Sequence, residues 1–264
     1  MFPESLTGDG LLMATEIGAA IQVIGNNLSL FLGFRNPEEA PGGTAMCRLS
    51  GTQELPAAHT IVVNRAGRRF ADESFFQAVA PRLREFDVRS REQPNLPCCL
   101  IFDAAYARAH SFGGRPPGAA IPDWVSRAAS LPHLARSLGI DADGLATTVQ
   151  RFNDDARQGI DREFGRGSTP WGLSRFDPST TLGPIEEPPF YGIRLHPTAL
   201  ASAGLLTDTA ARVIHVRGRP IPGLYAVGNA AARTETGSGY QTGFSLSSGM
   251  TFGLIAARDM ARRV

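Results

Sequence analysis

Lysine is missing from this sequence altogether: all 26 basic residues among its 264 are arginine. That absence excludes a lysine Schiff base, a pyridoxal phosphate site and the lysine of a phosphate-binding P-loop. Cysteine is scarce. Cys47, Cys98 and Cys99 are an odd number and two of them are adjacent, so neither a disulfide framework nor a CxxC metal site is legible. No metal site is expected, and a reducing cytoplasm is the expected compartment. Excess charge is also lacking. The 26 basic and 25 acidic residues leave a formal +1, with no basic stripe to bind nucleic acid. The longest apolar run near the start, LSLFLGF at 28–34, is far too short to span a bilayer, and no signal peptide is expected before it. What remains, 42% hydrophobic and 19% charged, is an ordinary globular composition, long enough for one large domain or two modest ones.

Periodicity and punctuation then give the elements. TGDGLLMATEIGAAI reads as a helix capped by Thr7 or Asp9. HTIVVNRAGRRFADES reads as a strand from Thr60 to Asn64, a turn at Arg65 to Gly67 and a short return strand. CCLIFDAAYARA reads as a strand running into a helix. Two further helices end on Gly139 and Gly159; the second carries Leu145, Val149, Phe152 and Ala156 on one face. DADG at its start lacks the glutamate that a calcium loop needs at position 12, where Phe152 stands, so it reads as a cap. Residues 165–190 are a long proline- and glycine-rich stretch. ARVIHV and GLYAVGN pair around the turn RGRPIPG, and the last helix, from about Ser247, is expected to bury Met250, Leu254, Ile255 and Ala257.

The residues that could carry chemistry are few. GSGYQTG, Gly237 to Gly243, is a glycine loop before a helix whose first turn offers Ser245, Leu246, Ser247 and Ser248. Such a helix start suits a carbonyl or an anionic ring. As a dinucleotide fingerprint the loop is misplaced, because no acidic residue follows about 20 positions on. A surface turn is the plain alternative. His196 precedes a run of small residues, which suits a flat ligand, although a structural histidine has the same pattern. Tyr240 is either exposed or aimed at a ligand as a hydrogen-bond donor. Asp72 and Glu73 in RRFADES are either an acid/base pair or partners of Arg68 and Arg69.

Taken together and in order, TIVVNRAGRRFADES, IFDAAYARA, LGIDADGLATTVQRFNDDARQGIDREFGRG, PPFYGIRLHPTALASAGLLTDTAARV, GRPIPGLYAVGNAAA and SLSSGMTFGLIAAR resemble the C-terminal portion of the FAD-dependent fumarate reductase/3-ketosteroid Δ1-dehydrogenase family. The resemblance implies a mixed α/β and α+β fold, in which a substrate (cap) domain at 41–200 is flanked by incomplete pieces of a Rossmann-like FAD-binding domain at 1–40 and 201–264. The N-terminal GxGxxG segment is expected to be lacking. FAD is the implied cofactor, with Gly228 and Asn229 beside the ribityl chain and Ser245 and Leu246 at the pyrimidine end of the flavin. Tyr240 would donate a hydrogen bond to a substrate carbonyl, and His196 would lie on the substrate side. The implied reaction is hydride transfer from carbon next to a carbonyl, on an apolar and steroid-like ketone. Departures matter too: Gln77 and Tyr240 stand where fumarate reductases carry substrate arginines, and Phe75 and Phe76 replace the tyrosine base of the ketosteroid branch. A fumarate reductase-like enzyme, a truncated non-catalytic remnant and one subunit of a split flavoenzyme, with a separate chain supplying the Rossmann half, remain the alternatives.

Overall fold

The computed structural model describes residues 7–23, 30–39, 46–49, 54–168, 178–199, 203–232 and 243–262. Leu30–Thr198 gather in one compact unit, and Phe2–Ser29 with Ala199–Val264 gather in a second.

Helix α1 (Asp9–Glu16) opens the described chain. Its N-cap is Gly8, at φ 81°, rather than Thr7 or Asp9. The Thr7 hydroxyl donates instead to Asp9 Oδ1 at 2.6 Å, leaving Asp9 inside the first turn, where its charge complements the helix dipole. Strands β1 (Ile21–Val23), β2 (Leu30–Asn36) and β3 (Met46–Leu49) follow. A 3-10 turn, Pro37–Glu39, closes β2. Strand β4 (Thr60–Asn64) forms where the short apolar run predicts one, and it is buried on both faces. The expected return strand does not form: Asn64 Oδ1 accepts from the amides of Ala66 and Arg68, which tightens the turn, and the next residue, Arg69, is drawn into a buried ion network.

Helix α2 (Phe76–Leu83), strand β5 (Cys98–Phe102) and helix α3 (Ala104–Ala109) come next. Asp103 caps α3 by accepting from the amides of Ala105 and Tyr106. Beyond a short β6 (Ser126–Ala128) lie α4 (Leu131–Leu138) and α5 (Ala142–Arg157). Asp141 caps α5 through the Asp143 amide, and Gly139 ends α4 in the left-handed region that glycine tolerates. After α6 (Pro178–Thr181) come β7 (Phe190–Ala199), β8 (Ala203–Leu205), β9 (Arg212–Ile214), β10 (Pro220–Tyr225) and α7 (Phe244–Ala261).

The larger unit is built on a six-stranded sheet of order β3-β2-β7-β5-β4, with β6 also on β7. The β2–β3, β4–β5, β5–β7 and β6–β7 pairs are antiparallel. Because β2 enters this sheet, the division between units falls at residue 30 and not at 40. One sheet face buries Leu32, Phe34, Val62, Leu100, Phe102, Ile193 and Leu195 against α2, α3 and the 112–125 segment. Phe34 stacks on Phe112 with centroids 5.2 Å apart. On the other face Ile61, Val63, Cys99 and Ile101 pack on α4 and α5 through Leu134, Leu145, Val149 and Phe152. Each such fully buried aliphatic or aromatic side chain contributes roughly 1.5–3 kcal/mol. Cys98 and Cys99 are buried free thiols, and burial pushes Cys99 up to about 11.

The smaller unit pairs β1 with β8 and β9 with β10, both antiparallel, over a modest core of Ala14, Ala19, Leu205, Val213 and Ala226. The last helix differs from its sequence expectation. It begins at Phe244, and Met250 is 75% and Leu254 54% exposed, while Ala256 is buried. Its small side packs inward. Gly249 meets Gly228 so closely that a Cβ on either glycine would lie within 4 Å of the other's Cα. An apolar stripe of larger side chains is therefore left outward. No helix among the described residues is long and apolar enough to cross a membrane.

Candidate active site

In the smaller unit, β10 ends in a 3-10 turn at Gly228–Ala230 that holds Gly228 and the exposed Asn229. Gly228 adopts φ 58°, a conformation open to glycine, and its contact with Gly249 seats the turn on α7. The helix itself is led by Gly243 at φ 86°, with no side-chain cap. Its first intrahelical bond runs from the Ser247 amide to the Gly243 carbonyl, so the amides of Ser245 and Leu246 precede the hydrogen-bond ladder. Aligned dipoles concentrate partial positive charge there. The flavin expected from the sequence fits this arrangement: among the described residues no side chain caps the helix start, which suits an electron-rich ring, and a glycine turn on the same helix keeps side-chain bulk away. The structure thus brings four of the expected residues, Gly228, Asn229, Ser245 and Leu246, onto one helix and the turn packed on it. Tyr240 lies outside the described residues.

His196 belongs to the larger unit. Along β7, Ile193 and Leu195 face the core, whereas Gly192, Arg194 and His196 alternate onto the opposite face. On β2, Leu32 and Phe34 face the same core and Arg35 points the other way. A cavity of about 390 Å³ opens there, with Arg35, Arg194 and His196 on its floor and Trp124, Ser126 and Ser137 among its walls. The Trp124 indole donates to Glu38 Oε1 at 3.3 Å while Arg115 donates to Glu38 Oε2 at 2.6 Å, which fixes the aromatic wall. Burial, reinforced by the charges of Arg35 and Arg194, holds His196 below the usual histidine range. At neutral pH the ring is therefore uncharged, able to donate from one nitrogen and accept at the other.

The RRFADES segment has a different role from the acid/base pair its carboxylates suggest. Arg69 donates from Nε and Nη2 to the two oxygens of Glu73, both at 2.7 Å, and from Nη1 and Nη2 to Asp161 at 3.0 and 2.9 Å. Arg166, fully buried, donates to the carbonyls of Thr60, Ala57 and Leu55 and to the Thr181 hydroxyl. Its guanidinium also lies 3.5 Å from Glu73. The Phe152 ring lies under both guanidiniums, at 5.1 and 5.9 Å. Burial would push Glu73 up, but Arg69 and then Arg166 hold it below the usual glutamate range. A carboxylate so engaged is a fixed anion and not a proton acceptor. Asp72 is raised instead, by burial first and by the neighbouring Glu73, against hydrogen bonds from Ser74. Arg68 is exposed and takes no part in this network.

Sequence reasoning missed Arg35, Arg194 and Arg166. The i, i+2 relation of Arg194 to His196 on a strand was the available signal for one of them. Arg35 lies far away in sequence and reaches the same floor only through the β2–β7 neighbourhood.

Residues 1–249 match the model of the FAD binding domain family. The chain is 37% identical to the 4-oxocyclohexanecarboxylate 2-dehydrogenase of Sinomonas cyclohexanicum over 98% of its own length and 46% of that protein. It is 33% identical to the 3-oxosteroid 1-dehydrogenase of Mycobacterium tuberculosis, over 97% of its own length and 46% of the relative. The 3-ketosteroid Δ1-dehydrogenase of Sterolibacterium denitrificans, solved with 1,4-androstadiene-3,17-dione, superposes with a TM-score of 0.80 at 30% identity, covering 99% of this chain and 48% of that one. The chain thus spans about half the length of the curated relatives it matches. By this match and these similarities, it belongs to the FAD-dependent fumarate reductase/3-ketosteroid dehydrogenase family.

Proposed function

We propose that this chain is the substrate-domain and C-terminal flavin-domain portion of a cytoplasmic FAD-dependent dehydrogenase acting on a cyclic ketone. In this reading the larger unit is the cap and the smaller one is a piece of the Rossmann-like domain. The observation that carries it is the glycine-led, uncapped start of α7 with the Gly228 turn seated on the same helix. The dehydrogenases among its relatives, acting by name on oxocyclohexane and oxosteroid compounds, support the substrate class. Bound FAD supplies the hydride acceptor.

The chain's own residues do the rest. Ser245 and Leu246 present their amides to the pyrimidine end of the ring, where the helix dipole favours the negative charge of the reduced form. Asn229 reaches toward the ribityl chain beside Gly228. Tyr240 donates to the ketone oxygen, which gains enolate character as a neighbouring carbon gives up a proton. The second hydrogen leaves the adjoining carbon with its electron pair, and a carbon–carbon double bond forms. His196, uncharged, positions the substrate. Phe75 and Phe76 cannot take the proton, so the base lies elsewhere.

A second reading, one subunit of a split flavoenzyme, is favoured by the exposed stripe Leu246, Met250 and Leu254 on α7. Such an apolar face on a helix is suited to cover by another chain. Fluorescence titration with FAD tests both readings. This chain alone should bind FAD weakly, and the chain co-purified with the N-terminal half of the Sterolibacterium denitrificans relative should bind it stoichiometrically. Failure of that pair to bind FAD contradicts both readings.

A further inference from the structure

We infer that the cavity over β2 and β7 is a carboxylate site, and that the substrate is a cyclic ketone bearing an acid group held by Arg35 and Arg194. This deepens the reading above and rests on it for the ketone, but the site itself stands on the geometry of the larger unit. The helices α4 and α5 cover the β4–β5 side of their sheet face. The β2–β7 side of that face carries Arg35, Arg194 and His196 and opens into the cavity. Among the described residues, neither guanidinium has a salt-bridge or hydrogen-bond partner, and no carboxylate lines the cavity. Glu38, on the 3-10 turn beside it, is already engaged by Arg115 and Trp124.

Several other arginines of this chain are matched. Arg69 has Glu73 and Asp161; Arg108 has Glu187; Arg162 has Asp155; Arg212 has Asp208. Two guanidiniums on one cavity floor repel each other, and an anion bound between them relieves that repulsion. Guanidiniums accept a carboxylate through paired N–H donors, a geometry that a single ammonium cannot reproduce. The walls decide what the acid group is attached to. Trp124 and Leu138 line the cavity beside the cations and suit an apolar ring, while Ser126, Ser137 and the neutral His196 offer hydrogen bonds without charge. About 390 Å³ falls within the usual range for a small-molecule site.

The test is calorimetric and needs no flavin, so its failure is distinct from failure of the dehydrogenase reading. The full chain is titrated with 4-oxocyclohexanecarboxylate and with its uncharged methyl ester. The acid should bind at least about tenfold more tightly, and added salt should weaken the acid but not the ester. Arg35→Gln and Arg194→Gln should each remove that advantage and leave the ester's affinity unchanged. Both side chains are exposed and have no ion-pair partner among the described residues, so the variants should keep the wild-type circular dichroism. Equal affinity for acid and ester, no binding of either, or an acid advantage that survives the double variant would overturn the proposal. So would displacement of the ring acid by acetate or inorganic phosphate at comparable concentration, which would make the cavity a general anion site.

Discussion

Arg69 and Glu73 meet fork to fork in a dry interior, Nε and Nη2 each donating at 2.7 Å to a separate carboxylate oxygen. With side chains 1% and 2% exposed, neither partner can fall back on water. Breaking a pair of this kind leaves an uncompensated buried charge, at a cost of about 3–5 kcal/mol. Glu73→Gln should therefore lower unfolding free energy by that amount in urea, since it strips the anion from Arg69 and from Arg166 together. A loss under about 1 kcal/mol would mean that Asp161 alone holds both guanidiniums.

The turn after β4 docks on the start of α5 with no room to spare. A Cβ on Gly144 would lie 2.1 Å from the Ala66 carbonyl oxygen, and one on Gly67 would lie 2.2 Å from the Leu145 amide nitrogen. Gly144→Ala should cost about 1–3 kcal/mol, the usual range for overpacking, despite alanine's better helix propensity. Thermal unfolding would check this, and an unchanged midpoint would contradict the close docking.

These two sites mark how far the sequence could be read. Strand β4, the cap in DADG and the buried face of α5 follow from local pattern, because a short apolar run, capping chemistry and the helical period act over a few residues. The family-bearing segments were legible for the same reason. The face of α7 was not. Its larger side chains pointed to burial of Met250 and Leu254, but close approach of two backbones at Gly228 and Gly249 turns the small side inward, and only tertiary contact decides that. The Arg69–Glu73–Asp161–Arg166 network and the Arg35–Arg194 floor join residues from distant segments, and one sequence has no periodicity that links them.

Asp72 should show the opposite pH behaviour from its neighbours. Its folded pKa lies above its ordinary 3.8, so its contribution to stability is complete below that value and is lost as pH rises through the folded pKa. Glu73 and Asp161 are depressed, and they contribute above their ordinary 4.5 and 3.8, with loss as pH falls. Asp72→Asn should therefore gain on the wild type as pH is raised from about 3 to 7. An advantage that instead shrinks over that range would show that ionised Asp72 has a partner in the fold.

In the flavin-loaded pair, Tyr240→Phe and His196→Ala should separate cleanly. Loss of a donor to an enolate-like oxygen typically costs about 10²–10³ in rate, so Tyr240→Phe should lower kcat by that factor with little change in KM. His196→Ala should act mainly on KM. Steady-state kinetics that leave kcat unchanged in Tyr240→Phe would make the tyrosine a packing residue.

These residues should complete a flavin site that oxidises a ring ketone. The direct measurement is anaerobic mixing of the flavin-loaded pair, this chain with the N-terminal half of the Sterolibacterium denitrificans relative, with 4-oxocyclohexanecarboxylate or a 3-oxosteroid. The oxidised flavin band should bleach, with one equivalent of ring-unsaturated ketone formed per flavin. Flavin that is bound stoichiometrically yet stays oxidised with every ring ketone, while reoxidising normally after chemical reduction, would contradict this expectation.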